Sequence, residues 1–463
     1  MKKITIVAGL LLLYACNTYV GLPEKVTQTG FKVREIPPYP QQTGGDPEVG
    51  FDYLLNGDYI GSGVPLSLFG KRTSRRDSIL DRPGINATLP YMVTAFETAN
   101  QISVVNGNCF TCHSAEINGQ LVLGLGNSFS DFRNNFSVMS KGMNTVMRLR
   151  YKKDSEEWAA YEDFGAYFKA IAPRIRTNQP GVNTAARLAE ACAMHRDPSD
   201  LSYREQPNFE MPDYNIATDV PPLWLMKKKN SLYYTAVGRG DFTKLLFQAA
   251  LLGIPDSTQA RVAITRFKDV LAWLETLEAP EYPFPVNQQL AAEGEKLFNE
   301  HCSKCHGTYG ENPGYPNKVV SLEVVKTDPW YASYAVDAPI VEWYNQSWFA
   351  LSEPKSWFEP QAGYVAPPLD GIWASAPYLH NGSVPTLEDL LYSPGRPAIW
   401  ERSEDSRDYD PVKVGWKYEA KTKKAGKWTY NTRLPAYSNV GHTFGDKLSG
   451  AERKALIEYL KTL

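Results

Sequence analysis

The stretch Cys302-Ser303-Lys304-Cys305-His306 organises the second half of this chain. Two thiols separated by two residues can form thioethers with the vinyl groups of a haem, and the histidine that follows can bind its iron as the proximal ligand. The same arrangement occurs at Cys109-Phe110-Thr111-Cys112-His113. The sequence therefore predicts two covalently bound haem c groups, with these attachment cysteines and proximal histidines: Cys109, Cys112, Cys302, Cys305, His113 and His306.

Two other interpretations of the motifs are a zinc site split between the cysteine pairs and a local disulfide within each pair. Neither explains why a histidine follows both pairs. Zinc-binding cysteine pairs also usually lie much closer together in sequence. The haem interpretation is therefore favoured at both motifs.

The N-terminus predicts export from a bacterial cell. Met1-Lys2-Lys3 precedes the apolar run from Ile4 to Leu13, which is typical of a signal sequence and too short to span a membrane. Leu13-Tyr14-Ala15-Cys16 resembles a lipobox, so we expect residues 1–16 to be an export signal with lipidation at Cys16. This predicts a lipoprotein anchored in the cell envelope, with a soluble periplasmic form as the alternative.

Length and composition favour more than one domain. The chain has 463 residues and a net charge of −2, with no basic run that would indicate a nucleic-acid partner. Residues 17–46 are rich in Pro, Gly and Gln, which predicts a tether. We expect a first haem domain over residues 47–277, a proline-rich linker over residues 278–286 and a second haem domain over residues 287–463.

An internal repeat suggests that the two haem domains arose by duplication. Val220-Pro221-Pro222-Leu223 matches Ala366-Pro367-Pro368-Leu369, and each half has the order haem motif, Pro-Pro-Leu, closing helix. Apolar residues recur at helical spacing before Cys302 and again at the C-terminus. The sequence thus predicts a mainly α-helical fold of two cytochrome-c-like domains in tandem.

The ligand in the second axial position of each iron determines whether the haem transfers electrons or reacts with an added molecule. All eight methionines lie at or before Met226, so the second haem cannot take a methionine from its own domain. The remaining candidates there are His380 and His442. No histidine lies between His113 and His195, so the first haem has no nearby histidine partner, although Met139 or Met143 is an alternative ligand.

One long segment resembles a known family. Residues 366–387, with Ala376-Pro377-Tyr378-Leu379-His380-Asn381-Gly382, resemble the signature of bacterial di-haem cytochrome c peroxidases and, more closely, of the di-haem rubber oxygenases. Residues 438–445, around His442, also resemble the oxygenase group. The similarity covers most of residues 45–463. Asp370-Gly371 departs from the Arg-Asn that is common in the peroxidases.

The resemblance implies roles for three residues. His442 is expected to be the sixth ligand of the second haem, and His380 is expected to support the pocket without binding iron. Trp224 lies where the family places a tryptophan between the haems, so it is a candidate electron relay. The first haem is expected to be open to dioxygen. The similarity to the peroxidases also allows a calcium ion between the domains.

These observations predict an exported di-haem oxidoreductase. The second haem would pass electrons to a more open first haem that reacts with peroxide, dioxygen or an organic substrate. Electrons would come from a redox partner protein or a quinone-linked donor. The alternative is an electron-transfer cytochrome in which both haems are six-coordinate.

The first testable prediction is covalent stoichiometry. Denatured protein should retain two haems per chain through acid-acetone extraction, because thioether bonds survive unfolding. The measurement is the pyridine haemochrome spectrum per mole of chain. Replacing Cys302 and Cys305 with Ala should reduce the retained haem to one. Fully extractable haem, or zinc in its place, would contradict the prediction.

Overall fold

The computed structural model describes residues 30–68, 80–134, 136–212 and 216–463. The signal sequence and the predicted lipidation site Cys16 lie outside the described residues. No helix in the described ranges is both long enough and apolar enough to cross a bilayer.

Fifteen α-helices and several short 3-10 helices occur in the described residues. The α-helices are α1 Pro47–Asn56, α2 Phe136–Arg150, α3 Glu156–Ile171, α4 Ala185–Met194, α5 Phe242–Phe247, α6 Ser257–Ile264, α7 Phe267–Thr276, α8 Gln288–His301, α9 Ser303–His306, α10 Leu322–Val325, α11 Trp330–Asp337, α12 Pro339–Asn345, α13 Trp348–Leu351, α14 Leu387–Leu390 and α15 Gly450–Leu460. The 3-10 helices are Leu66–Leu68, Gly84–Thr88, Cys109–Thr111, Leu223–Lys228, Gln248–Leu252, Ile372–Ser375 and Ser393–Gly395.

Fifteen short strands form six small sheets in the same ranges. The strands are β1 Val33–Glu35, β2 Val64–Pro65, β3 Val93–Glu97, β4 Ser103–Gly107, β5 Ser114–Ile117, β6 Gln120–Leu123, β7 Gly238–Gly240, β8 Lys318–Ser321, β9 Ser356–Phe358, β10 Gly363–Val365, β11 Ile399–Arg402, β12 Tyr409–Asp410, β13 Gly415–Trp416, β14 Tyr418–Ala420 and β15 Thr429–Asn431. The sheet orders are β1-β8-β10, β14-β11-β15, β12-β13, β2-β4-β3, β5-β6 and β7-β9, and all pairs are antiparallel.

The prediction of a mainly α-helical fold with two tandem haem domains is wrong. The architecture is a mixture of helices and small sheets, and two of the sheets join the halves of the chain. β1 pairs with β8, so that Val33 lies opposite Val320. β7 pairs with β9, so that Gly238 lies opposite Phe358. Strands of two to five residues leave little periodicity in the sequence, which is why the helical pattern dominated the prediction.

The main hydrophobic core is also shared between the halves. It contains the fully buried Phe247 of the first half together with Tyr344 and Phe349 of the second. The buried ammonium of Lys244 donates to the Phe349 carbonyl at 2.8 Å, across the same boundary. Residues 322–351 form four helices, and three of them contribute Tyr331, Tyr344 and Phe349 to this core. A shared core of this kind explains why no separate tandem domains form.

The helices that flank the second motif form as predicted. α8 begins after the cap Asn287 and runs directly into Cys302. α15 begins with a capping box in which Ser449 and Glu452 bond each other's backbone N–H groups. α8 and α15 cross at Gly294, where any side chain would collide with the Ala455 carbonyl. The crossing brings the buried Phe298 ring to 5.3 Å from Tyr459.

Gly294→Ala should therefore destabilise the protein by about 1–3 kcal/mol, because the added methyl group forces the two helices apart. The matched control is Gly142→Ala in α2, where the added methyl group meets no atom within 4 Å. That change should be neutral or stabilise by up to about 1 kcal/mol, since alanine favours a helix over glycine. The midpoints of denaturant-induced unfolding, measured for both variants, give the comparison. Equal effects of the two substitutions would contradict the close crossing.

Candidate functional site

The second motif forms a tight turn between two helices. α8 ends at His301, Cys302 is the junction and α9 spans Ser303–His306. Nδ1 of His306 lies 2.8 Å from the carbonyl oxygen of Pro367. A hydrogen bond donated by Nδ1 fixes the ring orientation and leaves Nε2 free to bind a metal. The Pro-Pro-Leu sequence of the second half therefore positions the proximal histidine.

The ring of His442 faces that of His306. Their centroids are 6.2 Å apart, and both residues are partly buried. An iron between them, with two metal–nitrogen bonds of about 2 Å and two ring radii of about 1.1 Å, would need a separation of roughly 6.2 Å. Burial, followed by the charges of His306 and Arg396, lowers the pKa of His442 to about 3. Burial also lowers the pKa of His306, so both imidazoles are neutral, as axial ligands must be.

The loop that carries His442 is held by Arg396. This guanidinium donates to the carbonyls of Asn439, Gly441 and His442 at 2.6, 2.7 and 3.1 Å. The backbone N–H of His442 donates to the Val325 carbonyl at 2.8 Å, and the residue has a φ of 46°. A left-handed conformation at a residue other than glycine persists only where its surroundings fix it. Sequence reasoning missed Arg396, because nothing in the sequence distinguishes it from other surface arginines.

His380 lies in a different environment. Its ring stacks on Tyr364 with a centroid distance of 4.0 Å, and Tyr234 and Tyr331 lie at 6.4 and 6.5 Å. The carbonyl of His380 accepts a hydrogen bond from the backbone N–H of Asp219. Burial lowers the pKa of His380 to about 3 and raises that of Asp219 to about 8. The structure therefore brings His442 against His306 and leaves His380 within a group of tyrosines.

The first motif lies between two strands. β4 ends at Gly107, Cys109–Thr111 form one turn of 3-10 helix, and β5 begins at Ser114. Asn183 donates to Sγ of Cys112 at 3.2 Å, and the Tyr59 hydroxyl lies 3.5 Å from Sγ of Cys109. These contacts fix the positions of both thiols.

His113 resembles His306 in its surroundings. Burial lowers the pKa of His113 to about 4, and the nearby Pro221 carbonyl opposes that effect. Nδ1 of His113 is buried and has no hydrogen-bond partner among the described residues, so the Pro221 carbonyl lies near without reaching bonding geometry. Each proximal histidine thus has a carbonyl from its own Pro-Pro-Leu sequence beside it. The Pro-Pro-Leu repeat was the feature of the sequence that indicated this arrangement.

The other candidates for the first iron lie elsewhere. Nδ1 of His195 lies 3.0 Å from the Arg204 carbonyl, and its ring stacks on Tyr203. Met139 is 49% exposed on α2, which is unlike the buried position of an iron ligand. Met143 is partly buried and packs against the main core. No histidine in the described ranges is paired with His113 as His442 is paired with His306.

Trp224 joins the segments that carry the two sites. It is buried, and its indole N–H donates to the Asp370 carbonyl at 2.8 Å, directly after the second Pro-Pro-Leu sequence. Its ring also borders Gly124 and Gly371. Gly124 donates its N–H to the His113 carbonyl at 2.9 Å, so one tryptophan touches both haem segments. Gly371 has a φ of 64°, and its missing side chain permits the close approach of the ring.

The residues of the two motifs fit covalent haem better than the alternatives. Cys109, Cys112, Cys302 and Cys305 are free, which disagrees with local disulfides in the described structure. Within the described ranges, no three His, Cys, Asp or Glu side chains gather in a group that could hold a metal ion. Calcium between the halves stays a prediction. The proximity of the His306 and His442 rings is the observation that favours haem.

An open cleft of about 570 Å³ borders the first motif. Ser114, which follows His113, and Asn127 form one part of its lining. Residues 404–407, which carry Glu404, Asp405 and Arg407, form another part. The lining is polar and apolar in nearly equal measure and includes both signs of charge. The cleft gives solvent or a small polar molecule access to the protein surface next to the first site.

Comparison with known proteins supports the cytochrome interpretation. Residues 363–401 match the family described as RoxA-like, cytochrome c-like. This match contains the second Pro-Pro-Leu sequence and His380, and it indicates a haem-binding protein of the cytochrome c type. The resemblance to the RoxA-like group is therefore supported over this segment, whereas the resemblance to the peroxidases stays a prediction.

Two proteins of Sinorhizobium fredii are similar to the chain. The uncharacterized protein y4iM is 25% identical over 316 residues, which cover 59% of this chain and 70% of y4iM. The uncharacterized protein y4iJ is 29% identical over 252 residues, which cover 40% of this chain and 41% of y4iJ. The chain thus spans less than half the length of y4iJ. Neither printed name assigns a function.

Proposed function

We propose that this chain is an exported di-haem c-type cytochrome that acts as an oxidoreductase. The observation that carries the proposal is the difference between the two sites. His306 has a second imidazole at 6.2 Å, whereas no equivalent histidine faces His113 among the described residues. Two imidazoles at one site favour electron transfer there, and a single imidazole at the other favours binding of an exogenous ligand.

The second site is proposed to be six-coordinate, with His306 and His442 as axial ligands. The Pro367 carbonyl orients the first imidazole, and Arg396 holds the loop of the second. Fixed ligands favour electron transfer because little reorganises when the charge of the iron changes. Cys302 and Cys305 are proposed to attach this haem covalently.

The first site is proposed to be the reactive one, with His113 as the proximal ligand and Cys109 and Cys112 as attachment residues. A haem held there would supply the electron chemistry of an open iron site for peroxide, dioxygen or an organic substrate. Asn183 and Tyr59 hold the attachment thiols. The neighbouring cleft provides a path for a small molecule toward this part of the protein.

Trp224 is proposed to relay electrons between the sites. Its ring borders Gly371 beyond the second Pro-Pro-Leu sequence and Gly124, which is bonded to His113. The ring is buried, so its neighbours hold it in one position between the two segments. His380 is proposed to support the pocket through its contact with Tyr364 and its bond to Asp219, without binding iron.

The cellular setting follows from the N-terminal sequence. Export with lipidation at Cys16 would anchor the protein in the bacterial cell envelope, facing the periplasm or the exterior. The electron donor is proposed to be a redox protein or a quinone-linked donor. The competing hypothesis is an electron-transfer cytochrome with tight ligands on both irons, and the carbon monoxide experiment below separates the two.

Replacing His442 with Ala should turn the second haem from low-spin to high-spin, because no methionine lies in that half of the chain to replace the imidazole. Electron paramagnetic resonance of the oxidised protein measures the change. His195→Ala is the matched control, since its ring bonds the Arg204 carbonyl and lies apart from both motifs. An unchanged low-spin signal in His442→Ala would transfer the ligand role to another residue.

The reduced protein should bind carbon monoxide at one haem per chain, because a five-coordinate or weakly ligated iron accepts exogenous ligands without breaking a strong bond. The altered absorption spectrum should disappear when Cys109 and Cys112 are both replaced with Ala. Trp224→Phe should leave carbon monoxide binding intact and slow turnover with peroxide or dioxygen. If neither haem binds carbon monoxide, the electron-transfer cytochrome becomes the better account.

A further inference from the structure

Helix α2 carries apolar side chains on two sides, and one of these sides packs against the core. Met147 is buried, and Phe136 and Met143 pack against the main core. A second set of apolar side chains on the same helix, which we call the outer face of α2, is exposed: Val138, Met139, Val146 and Leu149. Val138 is 75% accessible and Leu149 is 83% accessible, so their apolar character does not serve the core.

The outer face of α2 forms one continuous stripe. Successive residues of an α-helix are about 100° apart, so these four side chains lie within an arc of roughly 100° and extend about 16 Å along the helix axis. Gly142 lies within the same arc and has no side chain that would interrupt the stripe. No other helix in the described ranges has more than one large apolar side chain that is exposed. The stripe is therefore a specific feature of α2.

The charges that flank the outer face are positive. Residues 136–153 contain five basic residues and no acidic residue, and the acidic residues resume at Asp154, beyond the end of the helix. Lys141 and Arg148 lie on one side of the stripe and Arg150 lies on the other, and all three are exposed. None of these three side chains has an ion-pair partner among the described residues. The outer face therefore fits a surface that is negatively charged at its boundary and apolar beneath it.

A lipid bilayer has both of these properties. An interfacial helix buries its apolar face between the headgroups and the acyl chains, while its lysine and arginine side chains extend to the lipid phosphates. A protein partner fits less well, because the outer face contains no Trp or Tyr. The residues that provide most of the energy at protein interfaces are enriched in these aromatic types and contain few Leu and Val.

We propose that the outer face of α2 binds the surface of an anionic lipid bilayer. The helix lies in the plane of that surface, with Val138 and Leu149 against the acyl chains and the three basic side chains at the lipid phosphates. This inference goes beyond the proposed redox function, and it requires neither a haem nor lipidation at Cys16. Contact through a folded helix fixes the orientation of the protein against the membrane, which a flexible tether alone does not do.

The test measures sedimentation of the full chain with vesicles of phosphatidylcholine alone and of phosphatidylcholine and phosphatidylglycerol in equal parts. All proteins carry Cys16→Ala, so that no acyl chain contributes to binding. The protein with unchanged α2 should bind the anionic vesicles at least about tenfold more tightly than the neutral vesicles, because its cations attract the anionic lipid. Combining Val138→Gln with Leu149→Gln should weaken binding to the anionic vesicles about tenfold, because two apolar side chains no longer enter the bilayer.

A second variant tests the charges. Combining Lys141→Gln with Arg148→Gln should weaken binding to the anionic vesicles about tenfold and leave binding to the neutral vesicles unchanged. Val262→Gln is the matched control, since Val262 is 67% accessible and is the one large exposed apolar residue of α6. That change should leave binding to both kinds of vesicle unaltered.

Hydrogen exchange on the same vesicles distinguishes contact through α2 from attachment through the N-terminus. The amides of residues 136–150 should exchange more slowly on the anionic vesicles, and the variant with Val138→Gln and Leu149→Gln should lose this protection. Bound protein without protection of α2, or equal protection in that variant, would overturn the inference. Absence of vesicle binding would also overturn it, including where an acidic protein binds α2 instead. None of these outcomes depends on the haem content, so the proposed function is tested separately.

Discussion

The opposed rings of His306 and His442 are the constraint on which the second half of the structure depends. Two neutral imidazoles can be kept 6.2 Å apart in a protein interior only if each ring is held independently. The Pro367 carbonyl holds one, and Arg396 holds the loop of the other. The segments between the two histidines must therefore fold so that this separation is kept. α8, which leads into the second motif, packs against α15. Gly294 matters for the same reason, because it sets how closely those helices cross.

Interleaving of the two halves explains how the sites can communicate. If each haem motif lay in a separate domain, Trp224 would lie at the interface between the two domains. The pairing of β1 with β8 and of β7 with β9 instead places the halves in one structure with a shared core. Trp224 then contacts both haem segments from a buried position. A shared core limits relative motion of the segments, and a fixed separation is what electron transfer between two centres requires.

The sequence was sufficient to predict local features of the site but not the contacts that assemble it. The helix before Cys302 and the helix at the C-terminus are encoded by neighbouring residues, and they were predicted correctly. The fold class was wrong because strands of a few residues leave no periodic pattern and because pairing between distant segments is invisible in composition. Arg396 was missed for a related reason, since its importance lies in what surrounds it after folding.

The long separation of His442 from His306 in sequence makes Arg396 significant for the site. Closing a flexible loop on the order of 100 residues costs roughly 4 kcal/mol in chain entropy. An iron ligand that had to find its place unaided would carry this cost itself. Here the protein closes the loop through bonds from Arg396 to the carbonyls of Asn439, Gly441 and His442, and through the bond from the His442 N–H to the Val325 carbonyl. The position of His442 is therefore set by the fold, and coordination in the proposed haem site would add to an arrangement that the chain already maintains.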